Sequence, residues 1–177
     1  DFRIGIEHEK FLFNNKNNQR VDYSKIKQMF EALLEFGWNP ILENENIIGL
    51  NKGGKNITLE PGNQIELSGE KLNHLHEACA ESQDYLFELR QVTQKLDINI
   101  VSAGFDPISK LDEIPNNPKQ RYKLMTKDMP LGGELSLDMM YRTCGTQLNL
   151  DYKSEDDFIK KFKIVNSIVP ISIALFA

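Results

Sequence analysis

The sequence predicts an α+β fold in which an antiparallel sheet is flanked by helices. Three observations point that way: period-two alternation near the start, hairpin-type turns between short strand candidates, and long amphipathic helices that do not alternate regularly with those strands. Regular strand–helix alternation would have indicated a dinucleotide-binding sheet, and that fold is disfavoured. With 40% hydrophobic and 27% charged residues over 177 positions, the chain has the composition of an ordinary globular domain.

Phe2, Ile4 and Ile6 alternate with Arg3, Gly5, Glu7 and Glu9, which predicts a half-buried strand before the polar turn Asn14–Asn18. Ser24 is expected to cap a helix through about Phe36, with Ile26, Met29, Phe30, Leu33 and Leu34 as its apolar stripe and Gly37 as its stop. Two strands follow, near Asn46–Leu50 and Asn56–Glu60, joined through Lys52-Gly53-Gly54-Lys55 as a hairpin. The turn Pro61-Gly62 introduces a third strand, Gln64–Ser68. From Lys71 to Leu96, Leu72, Leu75, Cys79, Leu86, Leu89 and Leu96 follow helical spacing, so Cys79 is expected inside the packed stripe. Strand character returns at Ile98–Ser102, a short basic helix is expected near Lys119–Lys127, and Leu137–Asp151 again reads as strand. Ser154 to Asp157 open a final amphipathic helix that Pro170 is expected to kink or interrupt.

The 26 acidic and 21 basic residues leave a net charge of -5, which favours neither nucleic acid nor an anionic membrane and fits small-molecule partners. Cys79 and Cys144 lack ligand-type spacing and read as reduced thiols, which suggests a cytoplasmic setting. No apolar run approaches the roughly 20 residues of a membrane span, and Asp1–Lys10 lacks a signal-peptide pattern. The strand character of the first residues and the apolar run Ile168–Ala177 lead to the expectation that the domain continues beyond both ends.

Side chains repeat on one strand face about every 7 Å, so Glu7 and Glu9 share a space while His8 points away. Glu60 and Glu66 flank Pro61-Gly62, and pairing of their strands would bring these carboxylates to a common face. Close carboxylates repel by about 4 kcal/mol per pair at an effective dielectric of roughly 20, which a bound cation would relieve. Magnesium, or manganese, suits such an all-oxygen site. Spacing alone also permits the plainer reading, a sheet face turned to solvent, and favours it. In "TCGTQLNLD", Gln147 and Asn149 share one face. Arg142 has the opposite parity, and an ion pair with a scaffold carboxylate competes with a substrate-binding role. His74 and His76 lack a third ligand and read as helix-surface residues, and His8 as packing behind the strand. Gly53-Gly54 lacks the rest of a phosphate-loop signature.

The segments "IGIEHEKF", "ITLEPGNQIELSG" and "SLDMMYRTCGTQLNLD", with "LHEACAES" and "PISIALFA", resemble the plant and proteobacterial type of glutamate-cysteine ligase across nearly the whole chain. The resemblance implies a glutamine synthetase-like catalytic domain, of which residues 1–177 would be an amino-terminal portion. It implies that Glu7, Glu9, Glu60 and Glu66 bind metal, and that Gln147, Asn149 and, less directly, Arg142 contact substrate or nucleotide. The implied reaction is ATP-dependent joining of the γ-carboxylate of L-glutamate to L-cysteine through a γ-glutamyl phosphate, the first step of glutathione biosynthesis. The alternatives are a non-catalytic fragment or metal-binding module, and a carboxylate-amine ligase with a different amine.

Overall fold

The computed structural model describes residues 2–176; Asp1 and Ala177, the outer ends of the two terminal segments considered above, lie outside them. The fold is α+β, with seven strands in one antiparallel sheet and helices packed against it.

β1 (Ile4–Asn14) is the central strand. Its first half pairs with β5 (Ile65–Ser68) on one side and β7 (Thr146–Leu150) on the other, and its second half pairs with β6 (Ile98–Val101). β2 (Asn39–Glu43), β3 (Asn46–Lys52) and β4 (Lys55–Leu59) extend the sheet beyond β5, giving the order β2-β3-β4-β5-β1-β6. The expected hairpin forms: Lys52 is opposite Lys55, and Gly53 takes the left-handed backbone with φ +63° that glycine supplies without strain. The β4–β5 pairing also forms, with Thr58 opposite Glu66 and Leu59 opposite Ile65.

α1 (Tyr23–Leu33) and α2 (Leu75–Lys95) cover one face of the sheet. Leu12, Leu50, Ile57, Leu59, Ile65 and Leu67 from the strands meet Ile26, Phe30 and Leu33 of α1 and Tyr85, Leu89 and Val92 of α2. Since strand side chains alternate, this buried face determines what the opposite face presents.

Several expectations are corrected. Asp22, not Ser24, caps α1, accepting from the Lys25 N–H at 3.0 Å, and the last turn is 3₁₀ over Leu34–Phe36 before left-handed Gly37. β2 went unpredicted because Pro40 and its polar flanks obscure a short edge strand. Cys79 and Leu75 are exposed. The face of α2 that meets the sheet is Ala78, Glu81, Tyr85, Leu89 and Val92, whose aromatic and acidic members a leucine-only stripe overlooks. The segment expected as strand from Leu137 begins instead within helix α4 (Ser136–Arg142), and only β7 is extended. The basic helix is α3 (Gln120–Asp128), and α5 (Glu155–Phe176) runs on through Pro170. Ser154 caps α5 through its bond from the Asp157 N–H at 3.2 Å, as its sequence predicts. Among the described residues no helix is long and apolar enough to cross a membrane.

Candidate active site

The sheet face turned away from α1 and α2 carries the polar residues that alternate with the core. On β1 these are Glu7 and Glu9; Glu9 is opposite Glu66 of β5, Glu66 is opposite Thr58 of β4, and Glu7 is opposite Gln147 of β7. Asn149 lies opposite Gly5 on the same face. Glu60 follows β4 at the mouth of the turn, where its N–H donates to the Gln64 carbonyl at 2.7 Å. The expected set of Glu7, Glu9, Glu60, Glu66, Gln147 and Asn149 therefore shares one face.

The turn between Glu60 and Glu66 is rigidly held. Gly62 has φ +66°, and its carbonyl accepts from the Arg20 guanidinium, which also donates to Gln64 Oε1 at 2.8 Å and to Asp106 at 3.0 Å. Asn63 Nδ2 donates to the Val21 carbonyl at 2.8 Å, and Gln64 Nε2 donates to the Tyr141 carbonyl at 3.1 Å. Arg20, Asn63 and Gln64 are buried, so the loop carrying two of the glutamates is built into the protein interior.

Each carboxylate has a hydrogen-bond donor. Glu7 Oε1 accepts from Asn149 Nδ2 at 3.0 Å, Glu9 Oε2 from the Gly145 N–H, and Glu66 Oε1 from the Ser68 hydroxyl at 2.9 Å. Glu60 accepts from Thr58 Oγ1 at 3.0 Å and from the Tyr122 hydroxyl at 2.6 Å. Burial pushes Glu66 up to about 7, with the charges of Glu60, Glu7 and Glu9 adding to the rise and the Ser68 hydroxyl opposing it. Glu9 is raised for the same reasons, against the Gly145 N–H.

Among the described residues no group of three or more histidine, cysteine, aspartate or glutamate side chains is arranged so that it could hold a metal ion. The donor chemistry nevertheless fits a hard divalent cation: the face offers carboxylate and amide oxygens, and the charges of the neighbouring glutamates add to the raised proton affinity of Glu9 and Glu66, a repulsion that a cation would relieve. His8 lies on the opposite face, 3.4 Å from the Ser82 hydroxyl of α2, as expected. His74 is the side-chain N-cap of α2, and His76 is exposed.

Arg142 ends α4 rather than lying on a strand. It pairs with Asp138 at 2.9 Å, lies over the Phe105 ring and donates to the Asp106 carbonyl at 3.4 Å, which is the scaffold ion pair considered from the sequence. Cys144 is buried beneath the site, its thiol pushed up to about 12 by burial and by the nearby Glu9 charge, and both cysteines are free. Sequence patterns did not single out Thr58, Ser68, Gly145 or Tyr122 as partners of the glutamates. Thr58 and Ser68 were in principle legible, since each is two residues from a glutamate on its own strand; Tyr122 lies on a separate element and had no such signal.

The family model for glutamate-cysteine ligase family 2 matches residues 3–177. The chain is similar to the chloroplastic glutamate-cysteine ligase of Medicago truncatula, 44% identical over 177 residues, covering 99% of this chain and 35% of that protein. Chloroplastic glutamate-cysteine ligase A of Oryza sativa subsp. japonica is 44% identical over 178 residues, with coverage of 100% and 36%. The chloroplastic enzyme of Arabidopsis thaliana is 43% identical over 177 residues, with coverage of 99% and 34%. The chain thus spans about a third of the length of these relatives. These relatives are chloroplastic proteins, which overturns the cytoplasmic expectation: scarce, unpaired cysteines speak to redox conditions and do not distinguish one reducing compartment from another.

Proposed function

Because the chain belongs to glutamate-cysteine ligase family 2, we propose that it carries the metal-binding face of an ATP-dependent ligase that joins the γ-carboxylate of L-glutamate to the amine of L-cysteine. The observation that carries this reading is the single sheet face shared by Glu7, Glu9, Glu66, Gln147 and Asn149, with Glu60 at its edge.

In the proposed reaction an oxygen of the glutamate γ-carboxylate attacks the terminal phosphorus of ATP and ADP leaves. The cysteine amine then attacks the acyl carbon of the resulting γ-glutamyl phosphate, loses a proton, and expels phosphate to give γ-glutamylcysteine. Magnesium bound by Glu7, Glu9, Glu60 and Glu66 would neutralise the phosphate charge that builds during transfer. The chain's own contribution is positional: antiparallel pairing fixes the spacing of Glu7, Glu9 and Glu66, and the buried Arg20 network fixes the turn from which Glu60 projects. Gln147 and Asn149 present amide donors and acceptors beside Glu7, suited to orienting substrate or nucleotide. None of these side chains forms a covalent bond to substrate. The continuous sheet supports reading residues 1–177 as one portion of a single catalytic domain.

Glu7→Gln and Glu60→Gln in the full-length protein are each expected to lower ATP-dependent γ-glutamylcysteine formation by at least about 100-fold while far-ultraviolet dichroism stays unchanged. Turnover like that of the wild type in both variants refutes the assignment. The coverage of about a third of the relatives' length favours one second reading, in which these 177 residues bind metal without turning over. ATP consumption by the 177-residue chain with glutamate and cysteine decides between them, and replacing cysteine by 2-aminobutyrate tests the choice of amine.

A further inference from the structure

We propose that Tyr122 is a positioning residue for Glu60, aiming that carboxylate at the metal through its phenol hydroxyl; the inference rests on the ligase reading above. Glu7, Glu9 and Glu66 take their hydrogen bonds from β7, from the residue preceding it, or from their own strand. Glu60 lies beyond the last paired residue of β4 and so lacks a neighbouring strand to orient it. Its second carboxylate oxygen is held instead by a side chain 62 positions away in sequence, the Tyr122 hydroxyl at 2.6 Å.

The surroundings separate this bond from simple anchoring of α3. The segment leading into α3 is already tied twice to the backbone where β4 ends: Asn117 Nδ2 donates to the Glu60 carbonyl at 2.9 Å, and Lys119 Nζ donates to the Leu59 carbonyl at 2.7 Å. The Tyr122 ring adds burial, with only 3% of its surface exposed. A phenol has one hydrogen to donate, and the 2.6 Å contact to Glu60 Oε2 takes it in preference to the Leu59 carbonyl at 3.3 Å. Thr58 Oγ1 donates to Oε1. With one hydrogen-bond donor on each oxygen, and the Lys119 ammonium 4.0 Å from Oε1, the carboxylate is fixed in rotation and retains lone pairs on both oxygens for a cation. Partners of this kind orient metal-binding carboxylates, and their loss lowers metal affinity by about 10- to 100-fold.

Tyr122→Phe removes the hydroxyl and keeps the ring. In the full-length protein the substitution is expected to weaken Mn2+ binding, measured by electron paramagnetic resonance without nucleotide, by about 10- to 100-fold. It should raise the Mg2+ concentration for half-maximal product formation by a similar factor. The rate at saturating Mg2+ should stay within a few-fold of the wild type, and the melting temperature of the metal-free protein should be nearly unchanged. Mn2+ binding equal to the wild type overturns the inference, as does a loss accompanied by a lowered metal-free melting temperature, which would mark Tyr122 as scaffold. Glu60→Gln serves as the reference: if it retains Mn2+ binding, the reading of the face as a metal site fails. If Glu60→Gln loses binding and Tyr122→Phe does not, the positioning role alone fails.

Discussion

Arg20 has its guanidinium wholly enclosed, 3.0 Å from Asp106 with both side chains fully buried, and stacked on Phe11 at 4.7 Å. Asp106 also accepts from the N–H groups of Ile108 and Ser109, both at 2.9 Å, and these donors together with Arg20 outweigh burial and hold its carboxyl below the ordinary range. Removing one member of such a pair strands the other in a dry site, at a cost of roughly 3–5 kcal/mol. Arg20→Met is expected near the lower end, because Asp106 keeps its two backbone donors; the urea midpoint of the purified protein measures it, and a loss under about 1 kcal/mol would contradict the argument. Nothing in the local sequence announces Arg20. It follows a polar turn, and its partners Gly62, Gln64, Asp106 and Tyr141 are 42 to 121 positions away. Glu7, Glu9 and Glu66 were legible for the opposite reason: their shared face follows from period-two alternation within a few residues, which a strand enforces whatever its partners. Their mutual proximity also depends on register, which alternation does not set.

At the scale of elements, the turns are legible in the sequence, whereas the edge strand β2 and the helix α4 are not. Lys52-Gly53-Gly54-Lys55 and Pro61-Gly62 are local, and their backbone demands are visible in residue type. Ser136–Arg142 is short, and Leu137, Met139 and Tyr141 alternate as a strand would. What makes the segment helical is tertiary: Met140 and Tyr141 are both buried in a cluster with Ile114, and Asp138 pairs with Arg142 one turn on. That cluster closes over the Pro61-Gly62 turn. A Cβ added at Gly62 would stand 2.7 Å from Ile114 Cγ2 and 3.1 Å from Tyr141 Cδ1, on a backbone with φ +66°. Gly62→Ala therefore combines a left-handed penalty of about 1–2 kcal/mol with a clash in a packed cluster. The expected result is a lowered urea midpoint together with weakened Mn2+ binding, because Glu60 and Glu66 are spaced by this turn. Unchanged metal binding in a folded, destabilised variant would show that the turn's geometry does not set the site.

Over the whole molecule, the sheet divides two kinds of chemistry: its helix-covered face is buried and mainly apolar, while its other face gathers the glutamates Glu7, Glu9 and Glu66. α5 has none of its residues buried, with Phe162, Ile164 and Ile168 among those exposed. The acidic face makes stability depend on pH and, on the proposed reading, on cations as well. Glu66 rises from an ordinary 4.5 to about 7 on folding, so the native state holds a proton that the unfolded chain has released. Its contribution is complete below about 4.5 and is lost as pH rises through about 7. The metal-free protein should therefore melt at progressively lower temperature between about pH 5 and pH 8, and Glu66→Gln should flatten that slope. On the proposed reading, divalent metal would act in the reverse sense, binding the ionised carboxylates and displacing the proton at low pH. Mg2+ or Mn2+ at about 100 times its dissociation constant should add roughly 2.7 kcal/mol, a gain that EDTA removes. The gain at a fixed metal concentration should be largest above pH 7 and shrink as Glu66 is protonated below it. Thermal melting across this range, with and without metal, reads both slopes. A metal-induced rise in melting temperature that is as large at about pH 5 as at pH 8 would show that the cation does not bind where these glutamates meet.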